Sequence, residues 1–273
     1  RQLIANGYTV SILTRDIENA RRIMGDDFQY IKGDVAHPDS LERALEGCYG
    51  VHINLKGGPT FQDFDRVEHR GTANVAIAAA IKDVKRISYT SGATVSEKNT
   101  WFAPTKAKFF AEEAIRKSGV SYTIFHPTFF MESIPLYEKD GKLFLFGKQP
   151  YKLHWIAADD YGKMVAKAFR SPEAARKHFT VFGPEAYTFK EAFEIFIKKA
   201  RPESKIKQLN LGLMTFFSKF SSHKEFRLIL QLMNYFNKTQ EQGNPEEANK
   251  LLGAPETTLE KWCEEYKKTL KNE

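Results

Sequence analysis

The chain has 273 residues, 42% of them hydrophobic, enough for one large α/β domain or a domain with a smaller appendage. Its formal charge of +7 is spread as lysines among acidic residues, which reads as a solvated basic surface that also suits a small anionic ligand. No stacking or groove-reading motif accompanies the charge, so nucleic acid is not an expected partner. No apolar run is long enough to cross a bilayer and no signal peptide opens the chain, so no membrane partner is expected. Cys48 and Cys263 are far apart and fit two reduced thiols in a cytoplasmic protein.

Arg1 to Asn6 reads as the last turns of a helix, closed by Gly7, so the chain reads as lacking its natural N-terminus. Tyr8 to Thr14 is β-branched and apolar, a buried strand. A short helix follows over Glu18 to Met24, then a strand over Phe28 to Lys32 that ends at Gly33-Asp34. Ser40 opens a helix with Asp39 as its cap and Gly47 as its end, and Val51 to Leu55 forms the next strand. A long helix over Asp65 to Lys82 carries a face of small residues that lets it lie close on a sheet. Val84 to Thr90, a helix over Pro104 to Lys117 and a strand over Ser121 to Phe125 continue the rhythm.

Strand and helix thus alternate, which predicts a doubly wound, Rossmann-like parallel sheet covered on both faces. Residues 1–130 are read as this domain, with a sheet extension at about 150–185. Residues 131–273 are read as a mixed substrate-side cap, mainly helical after 188. Within it, the aromatic stretch Leu213 to Phe236 reads first as cap core, then as a substrate roof or partner surface, then as a membrane-surface helix.

Several pieces, in order, carry a resemblance: Val10 to Asp16, Gly33-Asp34-Val35, Gly71-Thr72-Ala73-Asn74-Val75, Val84 to Ser91, Lys106 with Glu112, Tyr122 to Pro127, Trp155 to Asp160, and Thr257 to Trp262. Together they resemble the NmrA-like group of atypical, extended short-chain dehydrogenase/reductases. The resemblance implies a nicotinamide dinucleotide bound across the sheet's carboxyl edge. The first strand and Gly-rich phosphate turn of that fold have no counterpart in the sequence; Gly57-Gly58-Pro59 has the wrong spacing.

Arg15 directly follows the strand ending at Thr14, where an arginine can meet a 2′-phosphate, so NADP(H) is favoured over NAD(H). Asp16 complicates that preference, and an ordinary surface arginine is the alternative. By resemblance Asp34 and Val35 border the adenine; a turn-capping aspartate is the plainer reading of Asp34. Leu55, Lys56 and Gly57 lie at the carboxyl edge, where Lys56 can meet a phosphate or simply face water.

Phe102 sits four residues before Lys106, about one helical turn, so the two are expected on one face. In the resembled reductases a tyrosine one turn before a lysine donates the proton, and the lysine holds the nicotinamide ribose. Here the tyrosine position holds Phe102, which has no proton to give. Ser91 then stands as the hydroxyl near the substrate carbonyl, and His126 as a proton donor or a packed structural histidine. Thr14 and Pro127 are expected to touch the coenzyme, and Phe102, Thr128, Phe129 and Met131 to line the substrate pocket. The histidines show no ligand spacing, so no metal site is expected.

Two functions follow. One is a reductase of a small apolar carbonyl or quinone, for which a quinone could draw protons from water. The other is a non-catalytic NADP(H) sensor that acts through a protein partner. A monomer or homodimer suits either.

Overall fold

The computed structural model describes residues 1–218 and 220–270. Residues 271–273, the end of the expected cap, and Lys219 lie outside the described residues. In chain order the elements are α1 (Gln2–Ala5), β1 (Ser11–Thr14), α2 (Ile17–Met24), β2 (Gln29–Lys32), α3 (Pro38–Leu45) and β3 (Gly50–Ile53). Next come α4 (Phe61–Asp63), a π-helix (Phe64–Gly71), α5 (Thr72–Ile81), β4 (Arg86–Thr90), α6 (Ala103–Lys117) and β5 (Tyr122–Pro127). The remainder comprises β6 (Glu138–Lys139), β7 (Lys142–Phe146), β8 (Leu153–Trp155), α7 (Ala158–Arg170), β9 (Lys177–Val181) and β10 (Glu185–Tyr187). It closes with α8 (Phe189–Ala200), β11 (Lys205–Leu209), α9 (Leu211–Ser218), α10 (Lys224–Phe236), α11 (Glu246–Leu252) and α12 (Leu259–Leu270).

Two compact units emerge. The first holds Arg1–His126 with Gly162–Phe179, the second Pro127–Tyr161 with Thr180–Glu273. In the first, β1 and β2 pair in parallel, and a separate four-stranded sheet runs in the order β3-β4-β5-β9. Ile87, Ala79, Ala111, Ile115 and Ile124 are fully buried in its core. The small residues Ala76, Ala78 and Ala79 let α5 lie close on the sheet, as the sequence predicts. Arg86 is buried at the start of β4 and donates to the Ala168 and Ser171 carbonyls at the end of α7, at 3.0 and 3.3 Å. The guanidinium thus satisfies the Ser171 carbonyl, shares the Ala168 carbonyl with the Ser171 amide, and meets the negative end of the helix.

The second unit has its own core, centred on Trp155, Phe189, Phe193 and Phe196. Its short strands form a β11-β7-β6 sheet and a β10-β8 pair. Thr188 caps α8 with Glu191 in a capping box, which sets where this helix starts. Cys263 is fully buried here, and burial, then the Glu260 charge, pushes its thiol up to about 12.

Four details differ from the sequence expectation. β1 covers only Ser11–Thr14 and is half-exposed, not buried as the β-branched run suggests. α3 starts at Pro38 with His37 as its N-cap, so Asp39 lies in the first turn instead of capping it. The Ser40 hydroxyl turns back to the His37 carbonyl at 2.7 Å. β5 runs through Pro127 rather than ending before it. The aromatic stretch divides: Leu230 and Met233 of α10 are buried in the core, whereas Phe216, Phe217 and Phe220 are exposed.

Candidate functional site

Parallel pairing places the ends of β1 and β2 on one rim. Arg15 follows β1 there, exposed and with no side-chain partner among the described residues. Thr14 spends its hydroxyl on Asp16, and Asp16 caps α2 by accepting from the Asn19 amide at 3.0 Å. Asp34 accepts from the Ala36 amide at 2.9 Å, an Asx turn that uses one carboxylate oxygen. The Val35 carbonyl accepts from the Asn74 side chain at 2.9 Å. Val35 and Leu55 converge on Gly71: a Cβ there would lie 2.6 Å from Val35 Cγ2 and 3.6 Å from Leu55 Cδ1. The ends of β2 and β3 therefore meet over one glycine of the π-helix. Lys56 is exposed beside them, with no partner among the described residues.

Gly57 is closed by the protein itself. Its amide donates to Glu68 Oε1 at 2.8 Å, and a Cβ would sit 2.6 Å from the Phe64 ring. The close approach that requires glycine is thus made by the π-helix. Glu68 is buried, and its other oxygen pairs with Lys108 Nζ at 3.2 Å. Lys108 also donates to the Thr90 carbonyl at the end of β4, at 3.2 Å. Neither Glu68 nor Lys108 was singled out from the sequence.

The one-turn pairing of Phe102 with Lys106 does not form a common face. Phe102 is the N-cap of α6, with extended backbone (φ −98°, ψ 121°), and is 6% exposed. The helical register starts at Ala103, so Lys106 swings outward and is exposed. It lines an outer cavity of about 620 Å³ with Phe61, Arg66, Ala107 and Phe110. Lys108, two residues on, turns toward the rim of the sheet. One turn before Lys108 stands Pro104, which has no acidic proton either.

Ser91, Glu112 and His126 form one buried cluster. Glu112 is 3% exposed; Ser91 Oγ donates to its Oε1 at 2.5 Å, and His126 Nε2 lies 2.7 Å from the same oxygen. Arg116 donates to Oε2 at 2.7 Å. Burial pushes the Glu112 carboxyl up, but the His126 and Ser91 hydrogen bonds and the Arg116 charge outweigh it and leave it below the usual carboxylate range. The hydroxyl of Ser91 and the imidazole of His126 are both spent on this carboxylate, which ties α6 to the ends of β4 and β5.

In the second unit, Pro127 is buried and the Thr128 hydroxyl donates to the His154 carbonyl. Phe129 packs among Trp155, Phe189 and Phe236, and Met131 is 1% exposed. These side chains build the core of that unit.

Parallel strands covered by helices define a Rossmann-like α/β protein. The sequence profile of the NmrA-like family matches residues 1–263, and the chain belongs to that family. Among relatives, the photosystem II assembly factor Ycf39 of Trieres chinensis is 22% identical over 255 residues, covering 87% of this chain and 79% of its own. The NAD(P)H azoreductase of Xenophilus azovorans is 25% identical over 184 residues, covering 64% and 59%. Two solved structures share the fold: the Citrobacter sp. triphenylmethane reductase complexed with NADP(H) has a TM-score of 0.75 at 17% identity, covering 97% of this chain and 94% of its own. The NADPH-dependent quinone oxidoreductase QOR2 of Escherichia coli has a TM-score of 0.74 at 18% identity, covering 97% and 93%.

Proposed function

We propose that the protein binds a nicotinamide dinucleotide along the rim of its first unit, NADP(H) in preference to NAD(H), and reduces a small apolar carbonyl or quinone. The observation that carries the coenzyme is the unpaired Arg15 guanidinium at the end of β1, beside the Asp34 turn. Its planar fork matches a phosphate. The groups present fit such a coenzyme: Arg15 and Lys56 are free cations, and Val35 and Leu55 offer an apolar seat for a flat base.

The coenzyme would supply hydride; the chain positions and shields it. Lys108, rather than Lys106, takes the ribose-facing role, because its ammonium already sits at the Thr90 carbonyl. The Ser91–Glu112–His126 cluster positions the strand ends instead of offering a free acid. Neither Phe102 nor Pro104 can donate a proton, which suits a quinone that takes protons from water. The same absence supports a second reading: a sensor that binds NADP(H) without turnover and reports to a protein partner.

The test uses protein produced from its full reading frame. NADPH oxidation is followed across a panel of quinones and aldehydes, with NADPH and NADH affinities measured in parallel. Turnover lost in Lys108→Ala supports the reductase. Tight NADPH binding with no turnover supports the sensor. Failure to bind either nucleotide ends both readings.

A further inference from the structure

We infer that the face formed by α9 and the turn after it seats the protein on an anionic lipid surface. Leu213, Phe216 and Phe217 follow the i, i+3, i+4 spacing that puts side chains on one face of α9, and Phe220 lies two residues beyond its end. That face points outward: the four are 55%, 55%, 58% and 78% exposed. The Phe216 ring lies 5.7 Å from both Phe217 and Phe220, so the aromatics form one plate.

The opposite side of α9 is held down. Leu211 and Ser218 are buried, and Asn234 of α10 donates to Thr215 Oγ1 at 2.9 Å. The usual amphipathic arrangement is inverted, with the greasier face in water. The exposed apolar area comes to roughly 400 Å², a size that single soluble chains rarely leave open without a use.

Charge selects the occupant. From Ser204 to Arg227 the sequence holds Lys205, Lys207, Lys219, Lys224 and Arg227 against the single acid Glu225. Lys205, Lys207 and Lys224 are exposed, and none of these or Arg227 forms an ion pair among the described residues. A lipid headgroup layer needs only a few inserted aromatics ringed by cations. No helix among the described residues is long and apolar enough to cross a membrane, so the plate would lie in the headgroup layer.

Vesicle flotation tests this without any coenzyme. Vesicles of phosphatidylcholine alone are compared with vesicles of equal parts phosphatidylcholine and phosphatidylglycerol. The wild-type chain should partition at least about tenfold more strongly onto the anionic vesicles, since each surface cation is worth about fivefold. The triple variant Phe216→Ser/Phe217→Ser/Phe220→Ser should lose about tenfold or more. Should that variant misfold by circular dichroism, the charge reversal Lys207→Glu/Lys224→Glu, on exposed side chains, should bring anionic binding down to the neutral-vesicle level. Equal partitioning onto both vesicle types overturns the inference, as does binding that the variants leave unchanged. Wild-type chain that ignores vesicles but self-associates in sedimentation, with a monomeric triple variant, assigns the face to a second copy and also overturns it.

Discussion

Arg15 carries its charge alone at the end of β1, and that isolation makes its contribution separable. Arg15→Ala should weaken NADPH about tenfold to a hundredfold, the value of a charge-assisted pair, and leave NADH within about twofold. Titration of coenzyme fluorescence reads both numbers. Lys106→Ala should leave NADPH affinity within about twofold, because the side chain faces the outer cavity. Glu112 is different in kind. Removing it leaves the half-buried His126 and Arg116 and the buried Ser91 hydroxyl without their carboxylate, so Glu112→Ala should cost about 1–3 kcal/mol in urea unfolding. Its depressed pKa means this stability is present above the ordinary carboxylate value of 4.5 and is lost as pH falls through the lower folded value. The strand ends that carry Arg15 and Asp34 could be read from sequence because they are marked by β-branched runs that stop at polar turns. The placement of Lys106 could not. Its register depends on which residue caps α6, and Phe102 adopts an extended N-cap conformation that no side-chain signal announces. Glu68 and Lys108 escaped for a related reason: their partners, the Gly57 amide and the Thr90 carbonyl, are met only in three dimensions.

The π-helix is the element on which the first unit's rim is assembled. Its wide turn sets Asp65 across both His69 and Arg70, each at 2.8 Å, on the outer face, and sends Phe64, Glu68 and Gly71 inward. The sequence pattern predicts one helix here and cannot show the wider pitch, which depends on packing against Gly57. Gly57→Ala should therefore cost about 1–3 kcal/mol, since a Cβ meets Phe64 Cα at 3.0 Å as well as its ring. Chemical denaturation of the variant measures it. The β3–β4 pair holds another device. His52 lies 2.9 Å from the Ser88 hydroxyl, and burial pushes its imidazole down to about 4. The unfolded imidazole titrates near 6.5, so the folded chain binds fewer protons between those values. Stability should be full above about 6.5 and decline as pH falls toward 4, and His52→Asn should flatten that slope in a series of melting curves. The Glu112 loss begins only below about 4.5, so the decline between 6.5 and 4.5 is carried by His52 rather than by Glu112. The alternation of strands and helices was legible throughout this region, since buried parallel strands are apolar runs between turn signals. The short strands β6 to β11 were only partly so, because each is brief and paired to a distant segment.

At the scale of the molecule, the two compact units keep separate cores, one centred on the sheet and the other on Trp155 and its phenylalanines. A coenzyme held by the first unit should stabilise it by about 2.7 kcal/mol at a hundredfold excess over its dissociation constant. Amide exchange should slow across β1 to β5 and stay unchanged in α8 to α12; equal slowing in both would contradict the placement of the coenzyme. The position of the two cysteines has a practical consequence for this measurement. Cys48 is half-buried in the first unit, whereas Cys263 is sealed in the second with its thiol held near 12. An alkylating reagent at neutral pH should label Cys48 slowly in the folded chain, because burial pushes its thiol up as well, and Cys263 only when the second unit opens. Cys263 therefore serves as a chronometer of the second half, read against Cys48 as its reference, and mass spectrometry of the labelled peptides would time that half's unfastening without any engineered probe.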